Sequence, residues 1–373
     1  MKKIGFTVTL FLVLGLVLAA CAAPQKPAPV PEKPAAASPT PSAPQLTRDQ
    51  QLIEGAKKEG EVVLWTHSWQ VGGPAQKAFE AKYPSIKLTV WDASRATNAI
   101  ARLAEEAKIG RHPADVVIFP DVDFVALAEM GLHQQYEGNN KGWPSQPSNK
   151  QYINIADGAY FPMYNTDLVS AAEAPKSFND LKSSKWRGRA AISSSGRSIP
   201  LLTAYIMGQE KVDFEKAETF WNEVVTNTRP RLMSGYDGPL GLLAAGEFAI
   251  LLMSASSTAT EMMWRGAPLA GAALEAAPTC GHALGLLKDA PHPNAARLLI
   301  DFFTSPEGNL AYANDRAIIA LSPEAATKAR ANRYYDGLGI KILSAPADLN
   351  TPENSARSSR YWSLDMPRLA GSR

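Results

Sequence analysis

Polar side chains follow four predicted strands of this sequence, at the points where each strand gives way to a helix. Along the chain, these turns contain Thr66, His67, Ser68 and Trp69; Asp121 and Asp123; Ser194, Ser195, Gly196 and Arg197; and Ser254, Ser256 and Ser257. Hydroxyls and backbone N–H groups at the start of a helix favour an anionic or carbonyl-bearing group, because unpaired donors and the positive end of the helix dipole coincide there. Serine and threonine are also the ordinary N-caps of helices, so one such turn alone indicates capping. Their concurrence predicts a ligand site.

Several side chains in these turns have chemistry of their own. Arg197 can pair with a phosphate or a carboxylate, although an exposed arginine is often only solvated. Trp69 can stack on a planar or sugar-like ligand, whereas Trp65 is expected in the core. Asp121 and Asp123 can receive a cation or hydroxyl groups, and Asp123 is equally suited to cap the helix that follows.

The motifs of common enzymes are absent from the sequence. It contains no H-E-x-x-H, no G-x-S-x-G and no phosphate-binding G-x-x-x-x-G-K motif, and its five histidines lack metal-ligand spacing. Cys280 lies two residues before His282, which could activate the thiol, but a small buried thiol is the interpretation we favour. We therefore predict that the chain is not an enzyme and needs neither a cofactor nor a metal.

The elements that must position these turns alternate between strand and helix. Thr47 to Lys58 has the pattern of a helix, with Thr47 as its cap and Gly60 beyond its end, and Glu61 to Thr66 has the pattern of a strand. Repetition of this alternation predicts an α/β fold with a mostly parallel sheet and helices on both faces. The chain beyond Thr47 is long enough to form two lobes.

The N-terminus combines Lys2 and Lys3, an apolar run from Ile4 to Leu18, and the small residues Ala19 and Ala20 before Cys21. This pattern resembles bacterial lipoprotein signal peptides. The resemblance implies that residues 1–20 are removed and that Cys21 is diacylated and holds the protein on the membrane. A plain membrane-spanning anchor from Ile4 to Ala23 is the alternative. Both interpretations place the rest of the chain outside the cytoplasm.

A tether is predicted at residues 21–46, where proline and alanine dominate and too little apolar surface is present to fold.

The charge balance of the chain argues against nucleic acid as a partner. The chain has 38 Lys+Arg and 36 Asp+Glu, and removal of Lys2 and Lys3 leaves 38 − 2 = 36 against 36. No basic face for nucleic acid is expected. With Cys21 lipidated, Cys280 has no partner for an intramolecular disulfide. We expect the protein to be a monomer.

Several segments together resemble a known family. They are AKKEGEVVL at 56–64, FEAKYP at 79–84, ADVV at 114–117, YNTDL at 164–168, APKS at 174–177, KWRGR at 185–189, APHPNAAR at 290–297 and SPEG at 305–308. In order and spacing they resemble the extracellular solute-binding proteins of ABC importers, in the branch that includes ferric-ion and thiamine binders.

The resemblance implies a two-lobed periplasmic-binding-protein fold of type II. The first lobe would combine residues 47–156 and 287–373, and the second would span 166–274. Two hinge crossings, at 157–165 and 275–286, would join them. A ligand bound between the lobes would favour closure, and an ABC permease in the membrane would recognise the closed protein.

The ligand class is predicted from a departure from the family pattern. Ferric binders of this family place adjacent tyrosines after the strand that here ends at Met253, where this chain has Ser254-Ala255-Ser256-Ser257. The adjacent pair Tyr334-Tyr335 lies in the C-terminal region instead. We therefore expect a small anion such as a phosphate ester, phosphonate or carboxylate. A ferric-ion binder of the same fold, and a surface enzyme or sensor on the same scaffold, remain as alternatives.

Overall fold

The computed structural model of the protein describes residues 46–371 apart from 68–70, 94, 210 and 345, and describes only the backbone at 256 and 347. The predicted signal, Cys21 and the tether up to residue 45 therefore lie outside the described residues. In the part that is described, no helix is both long enough and apolar enough to cross a membrane.

The described chain alternates helices and strands as the sequence predicts. The α-helices are α1 Arg48–Glu59, α2 Pro74–Lys82, α3 Ala96–Lys108, α4 Asp121–Glu129, α5 Ile199–Met207, α6 Phe214–Thr228, α7 Asp237–Ala244, α8 Ser256–Trp264, α9 Pro293–Phe303, α10 Pro306–Arg316, α11 Pro323–Ala326, α12 Arg330–Leu338, α13 Pro352–Arg360 and α14 Met366–Leu369. Short 3₁₀ helices cover Phe178–Lys182, Ser184–Trp186 and Ala347–Leu349, and a π-helical turn covers Tyr361–Asp365.

The strands are β1 Glu61–Thr66, β2 Lys87–Asp92, β3 Val116–Pro120, β4 His133–Gln134, β5 Ile153–Asn165, β6 Ala190–Ser193, β7 Arg231–Met233, β8 Ile250–Ala255, β9 Leu269–Gly271, β10 Ala277–Leu287, β11 Ile319–Ala320 and β12 Ile342–Ser344. Their main order across the sheet is β2-β1-β3-β10-β5-β8-β6-β7. Here β1, β2 and β3 form a parallel first half, and β6, β7 and β8 form a parallel second half.

The long strands β5 and β10 join the two halves. They pair with each other antiparallel; β10 continues onto β3 in the first half, and β5 continues onto β8 in the second. The register shifts between His282 and Ala283 of β10, where it pairs with β5, and between Phe161 and Met163 of β5, where it pairs with β8. These strands occupy the segments that the sequence predicts as hinge crossings.

The first helix shows how local sequence signals set the boundaries of an element. The Thr47 hydroxyl accepts a hydrogen bond from the Gln50 N–H, and the Gln50 side chain accepts one from the Thr47 N–H, which forms a capping box. At the other end Gly60 has φ 71°, the left-handed conformation that glycine adopts without strain. Both predicted signals are confirmed, and β1 has the predicted bounds.

Side chains of the first half bury alternately on its two faces. Leu64 packs with Phe79 and Phe302 on the side of α2 and α9, whereas its neighbour Trp65 packs with Phe119 on the side of α3 and α4. This is the period of two expected of a strand buried on both faces. It fixes the register, and therefore the direction in which the strand-end turns point.

The last part of the chain packs against the second half of the sheet. Tyr335 of α12 lies edge-on to Phe161, and Trp362 lies edge-on to Trp221 of α6 with ring centroids 5.1 Å apart. The predicted grouping assigns residues 287–373 to the first lobe; α9 packs with the first half of the sheet, but Tyr335, Trp362 and Met366 pack with the second. The physical reason is that the apolar side chains of the last helices complete the core beside α5 and α6.

Candidate functional site

The polar turns lie at the carboxyl ends of strands that run side by side. In the first half, Thr66 of β1 pairs in register with Ile118 of β3, so the turns that follow these two strands are neighbours. In the second half, β6 and β8 are parallel neighbours that end at Ser193 and Ala255. Ligands of open α/β sheets bind beyond such strand ends.

One ion pair connects the turns of the two halves directly. Arg197, in the turn before α5, donates to both carboxylate oxygens of Asp123 in the first turn of α4, at 2.8 and 3.1 Å. The Asp123 side chain is only 6% exposed, against 35% for Arg197. Burial raises the pKa of Asp123, while the charge and hydrogen bond of Arg197 lower it. The positive charge of Arg197 is therefore already compensated within the protein.

Hydrogen bonds from the C-terminal segment fix the backbone of the Arg197 turn. The Ser358 hydroxyl of α13 donates to the Arg197 carbonyl at 2.6 Å and accepts from the Leu201 N–H at 3.0 Å. The Trp362 indole N–H donates to the Ser193 carbonyl at 2.8 Å. The serine turn is thus fixed by residues that follow it by more than 150 positions in the numbering.

Asp121 is buried beside the thiol of Cys280. The Cys280 sulfur donates to an Asp121 carboxylate oxygen at 3.2 Å. Burial raises the pKa of Asp121 to about 6, partly offset by the hydrogen bond from Cys280. Burial also raises the pKa of the Cys280 thiol, and the Asp121 charge raises it further. His282 bonds to the Tyr312 hydroxyl at 2.9 Å. The arrangement keeps the sulfur protonated rather than activating it.

We expect Cys280 to be chemically inert in the folded protein. In a full-length chain carrying Cys21→Ser, Cys280 is the remaining thiol, and an aromatic disulfide reagent at pH 8 should label it roughly a hundredfold more slowly than in urea, because burial suppresses the thiolate. The time course of absorbance measures this directly. Complete labelling of the native chain at the rate of the unfolded chain would contradict this placement of the thiol.

The hydroxyls at the end of β6 bond to the backbone at the end of the neighbouring strand β7 and just after it. The Ser193 hydroxyl donates to the Gly235 carbonyl at 2.6 Å, the Ser194 hydroxyl contacts the Met233 carbonyl at 3.2 Å, and the Ser195 hydroxyl accepts from the Gly235 N–H at 2.8 Å. A Cβ on Gly196 would lie 2.1 Å from the Ile199 side chain. These residues therefore shape the turn and the start of α5.

The N-cap residues of the helices that follow β6 and β8 make no side-chain cap. Ser198 precedes α5 and Ala255 precedes α8, and neither side chain caps its helix by a hydrogen bond. The side chains at these two positions therefore do not cap the helices, although capping is the ordinary role of a serine in such a turn. In α5 the first-turn donors are already used, because the Ile199 N–H donates to the Gly196 carbonyl, the Leu201 N–H donates to Ser358, and Pro200 has no N–H. Among the described residues, the first turn of α8 is therefore the helix start that can offer N–H groups to an anion.

The other predicted site residues are placed as follows. Thr66 is buried, and its hydroxyl makes a long contact of 3.4 Å to the His67 carbonyl. Ser254 is buried, with a 3.3 Å contact to the Ala255 carbonyl, and Ser257 lies in the first turn of α8. Ser68 and Trp69 lie outside the described residues, as does the side chain of Ser256.

Two histidines adjoin the first-half turns without carrying charge at neutral pH. Burial lowers the pKa of His67 to about 4, and its Nδ1 lies 3.3 Å from the Ile118 carbonyl. Its ring centroid is 5.4 Å from that of His282, whose pKa burial also lowers. Neutral imidazoles can donate or accept hydrogen bonds, but they add no positive charge here.

Two tyrosines that the sequence analysis did not single out stand beside these turns. Tyr160 of β5 and Tyr236, the residue before α7, have ring centroids 6.3 Å apart. Burial raises the pKa of both phenols, which keeps them protonated. The position of Tyr160 in the predicted hinge crossing could have identified it from the sequence. No sequence feature could have identified Tyr236, because only the fold brings it close to Gly196.

Tyr334 and Tyr335 lie against α8 and β5. The Tyr334 hydroxyl contacts the Met263 sulfur at 3.7 Å, and Tyr335 packs on Phe161. Across the described residues, no three His, Cys, Asp or Glu side chains converge as a metal site.

Comparison with known proteins gives a family and a fold. Residues 75–335 match the family described as bacterial extracellular solute-binding protein. No curated protein sequence matches the chain.

Solved structures share its architecture at low sequence identity. The substrate-binding protein of an ABC transporter from Agrobacterium tumefaciens is 16% identical, with a TM-score of 0.69 over 84% of this chain and 96% of that one. AfuA from Actinobacillus pleuropneumoniae, with fructose-6-phosphate bound, is 21% identical, with a TM-score of 0.65 over 81% and 97%. IdiA (FutA) from Trichodesmium, in complex with iron and citrate, is 17% identical, with a TM-score of 0.65 over 84% and 100%.

Likeness at these identities shows the fold, which is the two-lobed fold of periplasmic binding proteins. The family match covers well over half of the 373 residues. The chain therefore belongs to the bacterial extracellular solute-binding proteins.

Proposed function

We propose that this protein captures a small solute between its two lobes and delivers it to the permease of an ABC importer. The observation that carries the proposal is the meeting of polar turns from both halves of the sheet, linked by the contact of Arg197 with Asp123. A ligand held by both sets of turns would stabilise the closed arrangement, and closure is the signal that a permease can recognise. Strands β5 and β10 would serve as the hinge.

A phosphate- or carboxylate-bearing solute is the ligand class we propose. Its support is the N-terminus of α8, at the end of β8, where the N-cap Ala255 provides no side-chain cap. Backbone N–H groups at such ends bind anions without requiring a free arginine. Arg197 contributes by holding the turn in place through Asp123. AfuA, a structural neighbour with fructose-6-phosphate bound, is consistent with this class.

A ferric-ion binder is the second candidate. The neighbour from Trichodesmium carries iron and citrate, and Tyr160 and Tyr236 supply two phenols close together in this chain. Iron would require both phenols to ionise, which burial opposes, since it raises their pKa values. A coloured complex that bleaches on addition of a chelator would favour iron over the organic anion.

A thermal-shift screen tests the proposal. The full-length chain in detergent is heated with phosphate esters, phosphonates, carboxylates, polyamines, thiamine and ferric ion. A ligand at a hundred times its dissociation constant adds about 2.7 kcal/mol of stability, enough to raise the melting temperature by several degrees. Small-angle X-ray scattering should then show a smaller radius of gyration with the same ligand. Stabilisation by a compound that is consumed would instead indicate an enzyme.

We also propose that two acyl chains on Cys21 hold the protein at the outer face of the membrane. Replacing Cys21 with serine should move the protein from the membrane fraction to the soluble fraction, because the lipid anchor is lost. Fractionation followed by immunoblotting measures the distribution. A variant that stays in the membrane fraction with residues 1–20 still attached would indicate a spanning anchor instead.

A further inference from the structure

An open surface depression of about 460 Å³, called the cavity below, lies at the far end of α8 from the serine turn, and its cationic side chains are exposed. It is lined by Glu261, Trp264, Arg265, Asn314, Lys328, Arg330 and Arg333. Pockets for small molecules commonly enclose about 300–1,000 Å³, so the space suits a small ligand. None of these residues belongs to the polar turns, and the cavity is separate from the proposed solute site.

The lining of this cavity carries excess positive charge. It has four cationic side chains and one carboxylate, that of Glu261. Glu261 approaches Arg265 at 3.7 Å, and Lys328 pairs with Glu324 at 3.0 Å. Among the described residues, Arg330 and Arg333 have no ion-pair partner within 4.0 Å. The cavity therefore holds two arginines whose charge the protein does not compensate directly.

Arg330 is held in a defined orientation. Its guanidinium carbon lies 3.6 Å from the ring centroid of Trp264, and its backbone N–H donates to the Asn314 side chain at 3.0 Å. A guanidinium stacked on an aromatic face keeps its N–H edge free, so it can bind an anion in the plane of the guanidinium group. The side chain is thus preorganised, which lowers the entropy lost on binding.

Backbone groups add to the same field. Helix α12 begins at Arg330; its N-cap Ala329 has no capping side chain, and the Arg330 N–H is already taken by Asn314, so the helix contributes through its dipole. Arg330 and Arg333 lie one turn apart, so the first turn of α12 borders the cavity. The positive end of the helix dipole and the two arginines therefore act in the same place.

We propose that this cavity binds a small anion carrying two phosphate or carboxylate groups. One group would occupy the planar fork of Arg330 above Trp264, and the other would lie near Arg333 and Lys328. An anion with a single charge would leave much of the positive field uncompensated, so a doubly charged anion is favoured.

Calorimetric titration of the full-length chain in detergent with inorganic pyrophosphate tests the proposal. Arg330→Gln and, separately, Arg333→Gln should each weaken one class of binding site roughly tenfold or more, since each removes charge-assisted hydrogen bonds. Affinity should also fall as NaCl is raised. Because the proposed solute site also favours anions, the readout is the difference between variants rather than binding alone.

Arg231→Gln is the matched control. Arg231 is exposed and its guanidinium carbon lies 5.8 Å from the ring centroid of Phe248, so its replacement removes the same charge and a looser aromatic contact outside the cavity. Its pyrophosphate affinity should stay within twofold of the unmodified chain. Unchanged binding in both Arg330→Gln and Arg333→Gln, or an equal loss in Arg231→Gln, would overturn the proposal. So would arginine-dependent binding to phosphatidylglycerol vesicles without binding of pyrophosphate, because the anion would then be a lipid headgroup.

Discussion

Replacing Trp362 with alanine should lower the free energy of unfolding by about 3–5 kcal/mol, the range measured for large aromatic side chains removed from protein cores. Trp362 is 0% exposed and lies edge-on to Trp221 at 5.1 Å. Its indole N–H also satisfies the Ser193 carbonyl, which the substitution would leave without that donor. Urea unfolding followed by far-ultraviolet circular dichroism measures the loss.

Two further variants separate the causes of that effect. Trp362→Phe keeps most of the packing but removes the N–H donor, so it should cost less than Trp362→Ala. Leu364→Ala is the matched control on the same segment, because Leu364 is 51% exposed and should cost under about 0.5 kcal/mol. A loss below about 1 kcal/mol for Trp362→Ala would show that the C-terminal helices do not complete the core as described.

Replacing Arg197 with alanine should destabilise the protein by about 1–3 kcal/mol at pH 8, because it leaves the buried carboxylate of Asp123 without its cation. The expected loss is smaller than for a fully buried pair, since Arg197 is partly exposed. Removing the guanidinium also raises the pKa of Asp123 in the folded state. As the pH falls, Asp123 of the folded variant becomes protonated before Asp123 of the unfolded chain, and the neutral carboxyl no longer needs a cation. The loss of stability should therefore shrink as the pH falls from 8 towards the acid range.

The double variant Arg197→Ala with Asp123→Asn provides the internal check, since it removes the cation and the buried charge together. It should recover much of the stability lost by Arg197→Ala at pH 8. Arg360→Ala is the matched control, because Arg360 faces Asp365 at 3.7 Å with its side chain 75% exposed, and exposed pairs contribute little. A loss for Arg197→Ala that is independent of pH would contradict the assignment to Asp123.

Local sequence signals predicted the elements whose ends are set by their own residues. Thr47, Gln50 and Gly60 specify both ends of α1, and the β-branched run at 61–66 specifies β1. These predictions succeed because capping bonds and glycine conformation act over four or five residues. Helix α4 begins at Asp121, so Asp123 lies within its first turn and does not cap it.

The contacts that shape the site depend on residues far apart in sequence and could not be predicted locally. The sequence analysis named Asp123 and Arg197 as candidate site residues, but nothing in the sequence shows that they bind each other rather than a ligand. Likewise, Ser195 looks available until the fold brings the Gly235 N–H to its hydroxyl. The resemblance grouped Trp362 with the first lobe, whereas tertiary packing places it in the core beside Trp221 of α6.

The order of strands across the sheet has a consequence for how the protein reaches its native state. Strand β3 ends at residue 120, but its neighbour β10 begins only at residue 277, and the helices that complete the second half come later still. When the chain emerges from its N-terminus, the first half cannot complete its sheet before β10 has emerged, and the second half cannot complete its core before the C-terminal helices have emerged. Closing such distant contacts is slow and leaves strand edges unpaired meanwhile. Protection of those edges during emergence is therefore a requirement that the topology itself imposes on the cell.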